Sequence, residues 1–435
     1  MALTWRFLAL TVLAGVPVAL RPHWTTIAVM IGVLLIAGLL DWLLSPSPLR
    51  VGLQRTPGPR IRLGGETHAV LTVRNEGKRT LRLTVRDAWA PSAGAAASGP
   101  ESTRFSAQLR RDESHEHRTA LTPTRRGLLR ADRVTLRSRT LVGLVARQRS
   151  IEVPASITVL PPFHSRRHLQ SKLRRMRELE GRTAVMLKGA GTEFDSLREY
   201  VRGDDVRAID WRATARAQEI MVRTYRPERD RRVIIVLDSS RLSARRVGDG
   251  TAFDAAIESG LLLAGLAAGS GDRVDVLAAD ARVRAHAGPL GRQAPMDTLM
   301  HTLTPVFPEL LEPDWEDIAA SVLRLTSHRS LVVLVTALDT PTLTEDLLPV
   351  LPLLTRRHTV AIASVADPVL EEMREGRYST TQAYRAAAAE RELLESRSLI
   401  HALSGLGVHS VHESPENLPP ALADLYIALK ASGRM

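Results

Sequence analysis

Arg232-Val233-Ile234-Ile235-Val236-Leu237-Asp238-Ser239-Ser240-Arg241-Leu242 is the stretch that decides the fold of the larger part of this chain. Val233 to Leu237 is a continuous apolar run with no polar face for solvent, so it suits a parallel strand covered on both sides. An acid and two serines then stop it. Downstream, Ala252 to Ala268 reads as a helix ending at Gly269-Ser270-Gly271. Val274 to Ala278, Leu331 to Val335, Thr359 to Ser364 and Val408 to Val411 read as further strands, with helices near 293–303, 315–326, 342–356, 381–404 and 418–431. Strand and helix in alternation define a doubly wound α/β domain over residues 232–435. Ligands in such folds sit at the carboxyl ends of the strands, which makes the Asp238 loop a candidate site.

This order of elements, with Asp-x-Ser after the first strand, resembles a von Willebrand factor A-like domain and its metal-ion-dependent adhesion site. The resemblance implies Asp-x-Ser-x-Ser from one loop, a Thr from a second and an Asp from a third, all oxygen ligands for a hard divalent cation such as Mg2+. Asp238 and Ser240 match as metal ligands. Leu242 replaces the second Ser, Pro313 falls near the expected Thr, and Ala337 occupies the third-loop position, which Asp339 fills only if that loop is shifted. The other reading is a degenerate site in which Asp238 caps the following turn or pairs with an Arg.

Residues 163–231 form a bridge. Leu169, Leu173, Met176 and Leu179 recur at helical spacing among Arg166, Arg167, Arg174, Arg175 and Arg177, an amphipathic basic helix that rests on an anionic leaflet or packs on the next domain. His164 and His168 near its start read as surface histidines. The segment Gly191 to Trp211 follows, containing Gly203-Asp204-Asp205-Val206-Arg207-Ala208-Ile209-Asp210-Trp211. Glu193, Asp204, Asp205 and Asp210 are interleaved with Arg198, Arg202, Arg207, Arg212 and Arg216, while Phe194, Leu197, Tyr200, Ile209 and Trp211 are suited to anchor it on a core. One reading is an ion-pair lattice fixing an irregular connection. The other is a partner-docking site at Gly203, Asp204, Asp205, Arg207, Asp210, Trp211 and Arg216, with the adjacent carboxylates facing a cation or a basic surface. Paired carboxylates also serve hydrolysis, but no nucleophile, base and orienting group assemble here from spacing.

Residues 49–162 change to a period of two. Leu81, Leu83 and Val85 alternate with Arg82, Thr84 and Arg86, and Ala69, Leu71 and Val73 lead into the turn Asn75-Glu76-Gly77. Phe105 to Leu109, Val134 with Leu136, and Ile157 to Leu160 add strands, so a small β-sandwich is expected. His115-Glu116-His117 reads as a solvated polar loop.

Residues 1–48 read as a transmembrane helical hairpin: Phe7 to Leu20 and Thr25 to Leu40 are apolar runs broken by Arg21-Pro22-His23-Trp24. A cleaved signal peptide is the alternative, but it has a single Arg and no Ala-x-Ala site. Either way two spans or one leave the soluble domains cytoplasmic, and Arg50, Arg55, Arg60 and Arg62 agree with the positive-inside rule. The chain has no Cys, which excludes disulfides, thiolate catalysis and Cys-type metal sites. Its formal charge is +12, with only four lysines among 59 basic residues. Basic surfaces favour anionic lipid or nucleic acid, but the 47 acidic residues are interspersed, so nucleic acid is not expected as a partner.

Taken with Arg126-Gly127, Leu141-Val142-Gly143-Leu144 and Val159-Leu160-Pro161, the Gly203 to Trp211 signature followed by Arg216 and the Asp238 strand is similar to the bacterial family called domain of unknown function 58. The resemblance implies a multidomain, membrane-anchored, non-enzymatic component that helps a MoxR-type AAA+ ATPase act on client proteins. The expected function is therefore an adaptor docking that ATPase or its client at the cell membrane. A cell-envelope or anionic-lipid binding scaffold is the alternative, and a hydrolase at Asp204 and Asp205 a third reading.

Overall fold

The computed structural model describes residues 2–95, 99, 102–186, 193–202, 204–226, 231–248, 250–291, 296–338, 343–376 and 378–435. They form two compact units, Met1–Leu160 and Pro161–Met435. The expected segments 1–48 and 49–162 thus fall essentially in one unit, and 163–231 and 232–435 in the other.

The first unit opens with β1 (Ala2–Leu3), α1 (Trp5–Leu20) and α2 (Trp24–Leu44). The helices separate at Arg21-Pro22-His23, where the His23 ring caps α2 by accepting from the Thr25 amide. At 21 residues α2 is about 31 Å long, the thickness of a hydrocarbon core. Leu13, Val29, Leu35 and Ile36 are exposed. Such an N-terminal apolar helix, solvated at so many Leu, Ile and Val side chains, is compatible with membrane anchoring.

Next come β2 (Val51–Thr56), β3 (Ile61–Arg62), β4 (Thr67–Asn75), β5 (Leu81–Asp87), β6 (Arg104–Leu109), β7 (Ser114–Leu121), β8 (Gly127–Arg139) and β9 (Val145–Leu160). They form a sheet ordered β1-β9-β8-β5-β6, with β3 beside β9, and a second ordered β2-β4-β7. The period-two pattern works as expected: Leu71 and Val73 of one sheet meet Leu83, Val85, Val134 and Leu136 of the other in a shared core. One expectation is corrected: His115-Glu116-His117 is part of β7, paired with β4, and the His117 ring stacks on Phe105 at 4.1 Å. Arg55 is buried and pairs with Asp87 at 2.5 Å.

The second unit contains α3 (Arg166–Met186), β10 (Glu193–Glu199), α4 (Trp211–Ala217), β11 (Met221–Arg226), β12 (Arg232–Asp238), β13 (Arg246–Val247), β14 (Gly250–Thr251), α5 (Ala252–Gly269), β15 (Arg273–Ala279), β16 (Val283–Leu290), α6 (Met296–Leu303), α7 (Trp315–Leu325) and β17 (Leu331–Val335). It ends with α8 (Leu348–Thr355), β18 (Thr359–Val365), α9 (Pro368–Glu375), α10 (Thr380–Gly405), β19 (His409–Glu413) and α11 (Leu418–Ala431). The sheet runs β16-β15-β12-β17-β18-β19, every pair parallel except β15 with β16. Of the second unit's elements, β10, α4, β11, β13, β14, β16 and α9 have no counterpart in the expected pattern. α5 starts with a reciprocal capping box between Thr251 and Asp254 and is long and apolar enough to span a bilayer, yet it lies in the core. A Cβ on its Gly260 would come within 3.2 Å of Leu237, so glycine there lets helix and strand approach.

The basic helix resolves toward packing. Leu173 presses against Gly269 of α5, where a Cβ would lie 2.8 Å away, Met176 is buried, and Lys172 and Arg175 pair with Asp424 of α11 at 2.5 and 3.1 Å. Arg174 and Arg177 remain exposed.

Candidate functional site

The chain runs from β12 out to β15 and β16 on one side, then returns to β17 on the other. The topological switch therefore lies between β12 and β17, at whose carboxyl ends Asp238 and Thr336 meet. Asp238 is wholly buried; its Oδ1 accepts from the Ser240 amide at 2.8 Å and its Oδ2 from the Thr336 hydroxyl at 2.6 Å. Burial pushes the Asp238 carboxyl above its ordinary pKa, and the nearby charge of Asp280 pushes the same way, against the pull of Thr336 and Ser240. The Ser240 hydroxyl is buried beside this carboxylate, close enough to lower its pKa. Asp280, at the end of β15, is also fully buried and accepts from the Ser239 hydroxyl at 3.3 Å.

Residues 309–314 close over these strand ends. The Glu309 amide donates to Ser239, the Arg241 amide to Leu311 and the Asp314 amide to Asp280, at 3.0, 3.0 and 3.1 Å. Arg284 with Glu309 and Arg241 with Glu312 add ion pairs at the rim. Pro313, near the expected second-loop Thr, is buried in this closure; Leu242 and Ala337 are half-buried, and Asp339 lies outside the described residues.

The matched ligands, Asp238 and Ser240, supply one carboxylate already accepting at both oxygens and one hydroxyl. Mg2+ is held octahedrally by one or two carboxylates with several waters. As arranged here, the one carboxylate of the motif is turned to Ser240 and Thr336 rather than left free for a cation. Thr336 and Asp280 were not singled out by motif, although each directly follows a buried strand, the same signal that marked Asp238.

The Asp204 to Arg216 segment folds on itself. β10 and β11 pair antiparallel, Glu199 opposite Met221, and the Val206–Ala208 turn and α4 lie between them. Each carboxylate has a local task. Asp204 pairs with Arg198 at 2.5 Å and accepts from the Val201 amide at 2.9 Å. Asp205 accepts from the Arg207 amide at 2.9 Å. Asp210 caps α4, accepting from the Arg212 and Ala213 amides at 3.0 Å, and pairs with Arg223 at 2.8 Å. Arg198 chiefly holds the Asp204 carboxyl below the usual range, and the Ala213 amide followed by Arg223 does so for Asp210. Glu199 beside Glu219 raises the Glu219 carboxyl.

The apolar residues turn outward instead. Trp211, expected on a core, is 69% exposed, and Val206, Val201 and Ile220 of the same segment are exposed too. Ile209 bridges to the buried Val222, and Arg207, Arg212 and Arg216 face solvent. Gly191, Gly203 and the side chain of Phe194 lie outside the described residues.

Residues 196–393, a little under half of the chain, match the family described as Protein of unknown function DUF58, which supports that family for this stretch. No curated protein matches the chain. Among solved structures, the chain is similar to the CARDB domain of a Pyrococcus furiosus protein in complex with di-metal ions, at 14% identity, 25% of this chain, 87% of that one and a TM-score of 0.18. It is also similar to a PapD-like domain of human CEP192, at 13%, 26%, 92% and 0.19. Proximal thread matrix protein 1 from the mussel byssus matches at 12% identity over 46% of each chain, with a TM-score of 0.26. At these TM-scores the likenesses carry no argument about the fold.

Proposed function

We propose that this is a membrane-anchored, non-enzymatic adaptor of the domain of unknown function 58 family, in which the β10–β11 hairpin docks a MoxR-type AAA+ ATPase or its client. One observation carries the reading: an ordered hairpin exposes Trp211, Val206, Val201 and Ile220 among exposed arginines. Exposed apolar and Arg side chains on one segment are what a protein interface uses, and Trp and Arg are among the residues most often responsible for its affinity. The carboxylates of Asp204, Asp205 and Asp210 then shape the hairpin, and Trp211, Arg207 and Arg216 meet the partner, whose surface is apolar with an acidic rim.

α1 and α2 serve as a two-span hairpin that holds the soluble domains at the cytoplasmic face of the cell membrane. Support for a von Willebrand factor A-like second unit comes from the sheet order, its single antiparallel edge strand, and Asp238 at the switch point. With Asp238 engaged by Thr336 and covered by residues 309–314, docking is proposed to proceed without Mg2+. The lipid-scaffold alternative draws less support, because the apolar face of α3 is spent on α5 and two of its cations on Asp424.

The test is purification of the tagged full-length protein from gently solubilised membranes of its native host, with Mg2+ and with chelator. Recovery of an AAA+ ATPase under both conditions is the expected result. Recovery of envelope components or lipid alone would replace the adaptor with the scaffold, and loss of the ATPase on chelation would restore the metal to the docking site.

A further inference from the structure

The turn between β8 and β9, Thr140-Leu141-Val142-Gly143-Leu144, has no task in the adaptor reading. In the first unit it is held between the start of α1 and the last turn of α2. The Thr4 hydroxyl donates to the Gly143 carbonyl at 2.6 Å, and Arg6 Nη1 to the Val142 carbonyl at 2.7 Å and the Leu141 carbonyl at 3.2 Å. From α2, Asp41 is buried and its Oδ2 accepts from the Val145 amide at 2.7 Å, while the Thr140 hydroxyl donates to Oδ1. The Gly143 amide donates to the Thr140 hydroxyl at 2.8 Å.

Two features of this turn stand in contrast. The carbonyls of Leu141, Val142, Gly143 and Leu144 and the Gly143 amide are satisfied by side chains, as a loop requires where water is scarce. Its apolar side chains face outward: Leu141 is 76% and Val142 60% exposed. A turn that lives in water has no need of the first feature and pays for the second. Both suit the interfacial zone of a bilayer, and Trp5 at the start of α1 and Leu44 at the end of α2 are exposed as well. Arg147 stacks over Trp42 at 4.5 Å, an aromatic and cation pairing suited to headgroup depth, and the exposed Arg139 and Arg149, which donate to the Thr84 hydroxyl and the Leu49 carbonyl, lie on the strands that lead into and out of the turn.

We infer that the β8–β9 turn is a third membrane contact, with Leu141 and Val142 seated in the acyl–headgroup boundary of the bilayer that α1 and α2 span. It fixes the β-sandwich against the membrane instead of leaving it on a tether. The inference rests on the reading of α1 and α2 as spans, so the test reads both separately. The chain lacks Cys, so single cysteines label uniquely. Val142→Cys, Val33→Cys within α2 and Ser156→Cys are made in the full-length protein, labelled with an environment-sensitive fluorophore, and reconstituted in phosphatidylcholine–phosphatidylglycerol vesicles. Ser156 is exposed and lies ten residues along β9 from Ala146, about 33 Å from the turn.

Nitroxide lipids with shallow or deep labels then report depth. The expected result is blue-shifted emission at Val142→Cys, quenched severalfold more by the shallow lipid than at Ser156→Cys, with Val33→Cys quenched most by the deep one. If Val142→Cys behaves like Ser156→Cys while Val33→Cys is quenched, the third contact is wrong and the spans stand. Blue-shifted but unquenched emission at Val142→Cys would put protein rather than lipid over the turn and also overturn the inference. No quenching at Val33→Cys would remove the spans and the inference together.

Discussion

The Thr336 hydroxyl donates to the Asp238 carboxylate at 2.6 Å with both residues buried at the switch point of the sheet. A hydroxyl and an amide are modest compensation for a buried charge, and the Asp238 carboxyl accordingly holds its proton more tightly than in an unfolded chain. The folded state therefore binds the extra proton. Its contribution to stability is complete below the unfolded carboxylate value of about 3.9 and is lost as pH rises through the raised folded value. Asp238→Asn, neutral at every pH, escapes that loss. The melting temperature of the detergent-solubilised variant, relative to wild type, is expected to rise between pH 5 and pH 8. A constant difference would mean that Asp238 is ionised at little cost, as a bound cation would make it.

The buried pair Arg55–Asp87 ties β2 to β5 across the two sheets, and Arg55 also donates to the carbonyls of Ala131 and Val153 and lies over Trp89. Removing one partner strands the other in the core. Asp87→Ala and Arg55→Met are each expected to destabilise the first unit by about 3–5 kcal/mol, and the double variant Arg55→Met with Asp87→Leu by clearly less than their sum. Denaturant titration followed by β-sheet circular dichroism measures this. Additive losses would show that the two charges are independent.

The depressed carboxyls of Asp204 and Asp210 act in the opposite sense to Asp238. Their support of the hairpin is complete above about pH 4, the unfolded value, and is lost as pH falls through the lower folded values. Hydrogen exchange corrected for intrinsic rates is expected to show protected Val201 and Ala213 amides at pH 6 and faster exchange below pH 4. Asp210→Ala, but not Asp210→Asn, reproduces the Ala213 loss at pH 6, since Asn also caps helices. Unchanged protection in Asp210→Ala would mean that packing, not the carboxylate, orders α4.

Particular residues explain what the sequence disclosed. Val233 to Leu237 and α5 were legible because burial on both faces leaves a continuous apolar signal. β16 was hidden because an edge strand tolerates Gly288 and Pro289 and leaves its residues half-exposed. β7 was hidden because His115, Glu116 and His117 carry no alternation; only Thr119 and Leu121 of that strand are buried. Asp238 and Ser240 stood in one motif, whereas Thr336 and Asp280 come from other strands and join them only through register. Trp211 was misplaced on a core because an aromatic usually belongs there, and only the fold of the hairpin, with Ile209 bridged to Val222 and α4 starting next to it, leaves the indole outside.

The docking hairpin is tested most directly by photo-crosslinking in living cells. A photoreactive amino acid at Val206 or Ile220, both exposed on the hairpin, is compared with one at Arg391, exposed on α10. The expected result is one adduct containing a MoxR-type AAA+ ATPase or a shared client, formed from both hairpin positions, absent at Arg391, and lost when Trp211→Ala is added. Adducts equal at all three positions, or none to any protein at Val206 and Ile220, would contradict docking through this surface.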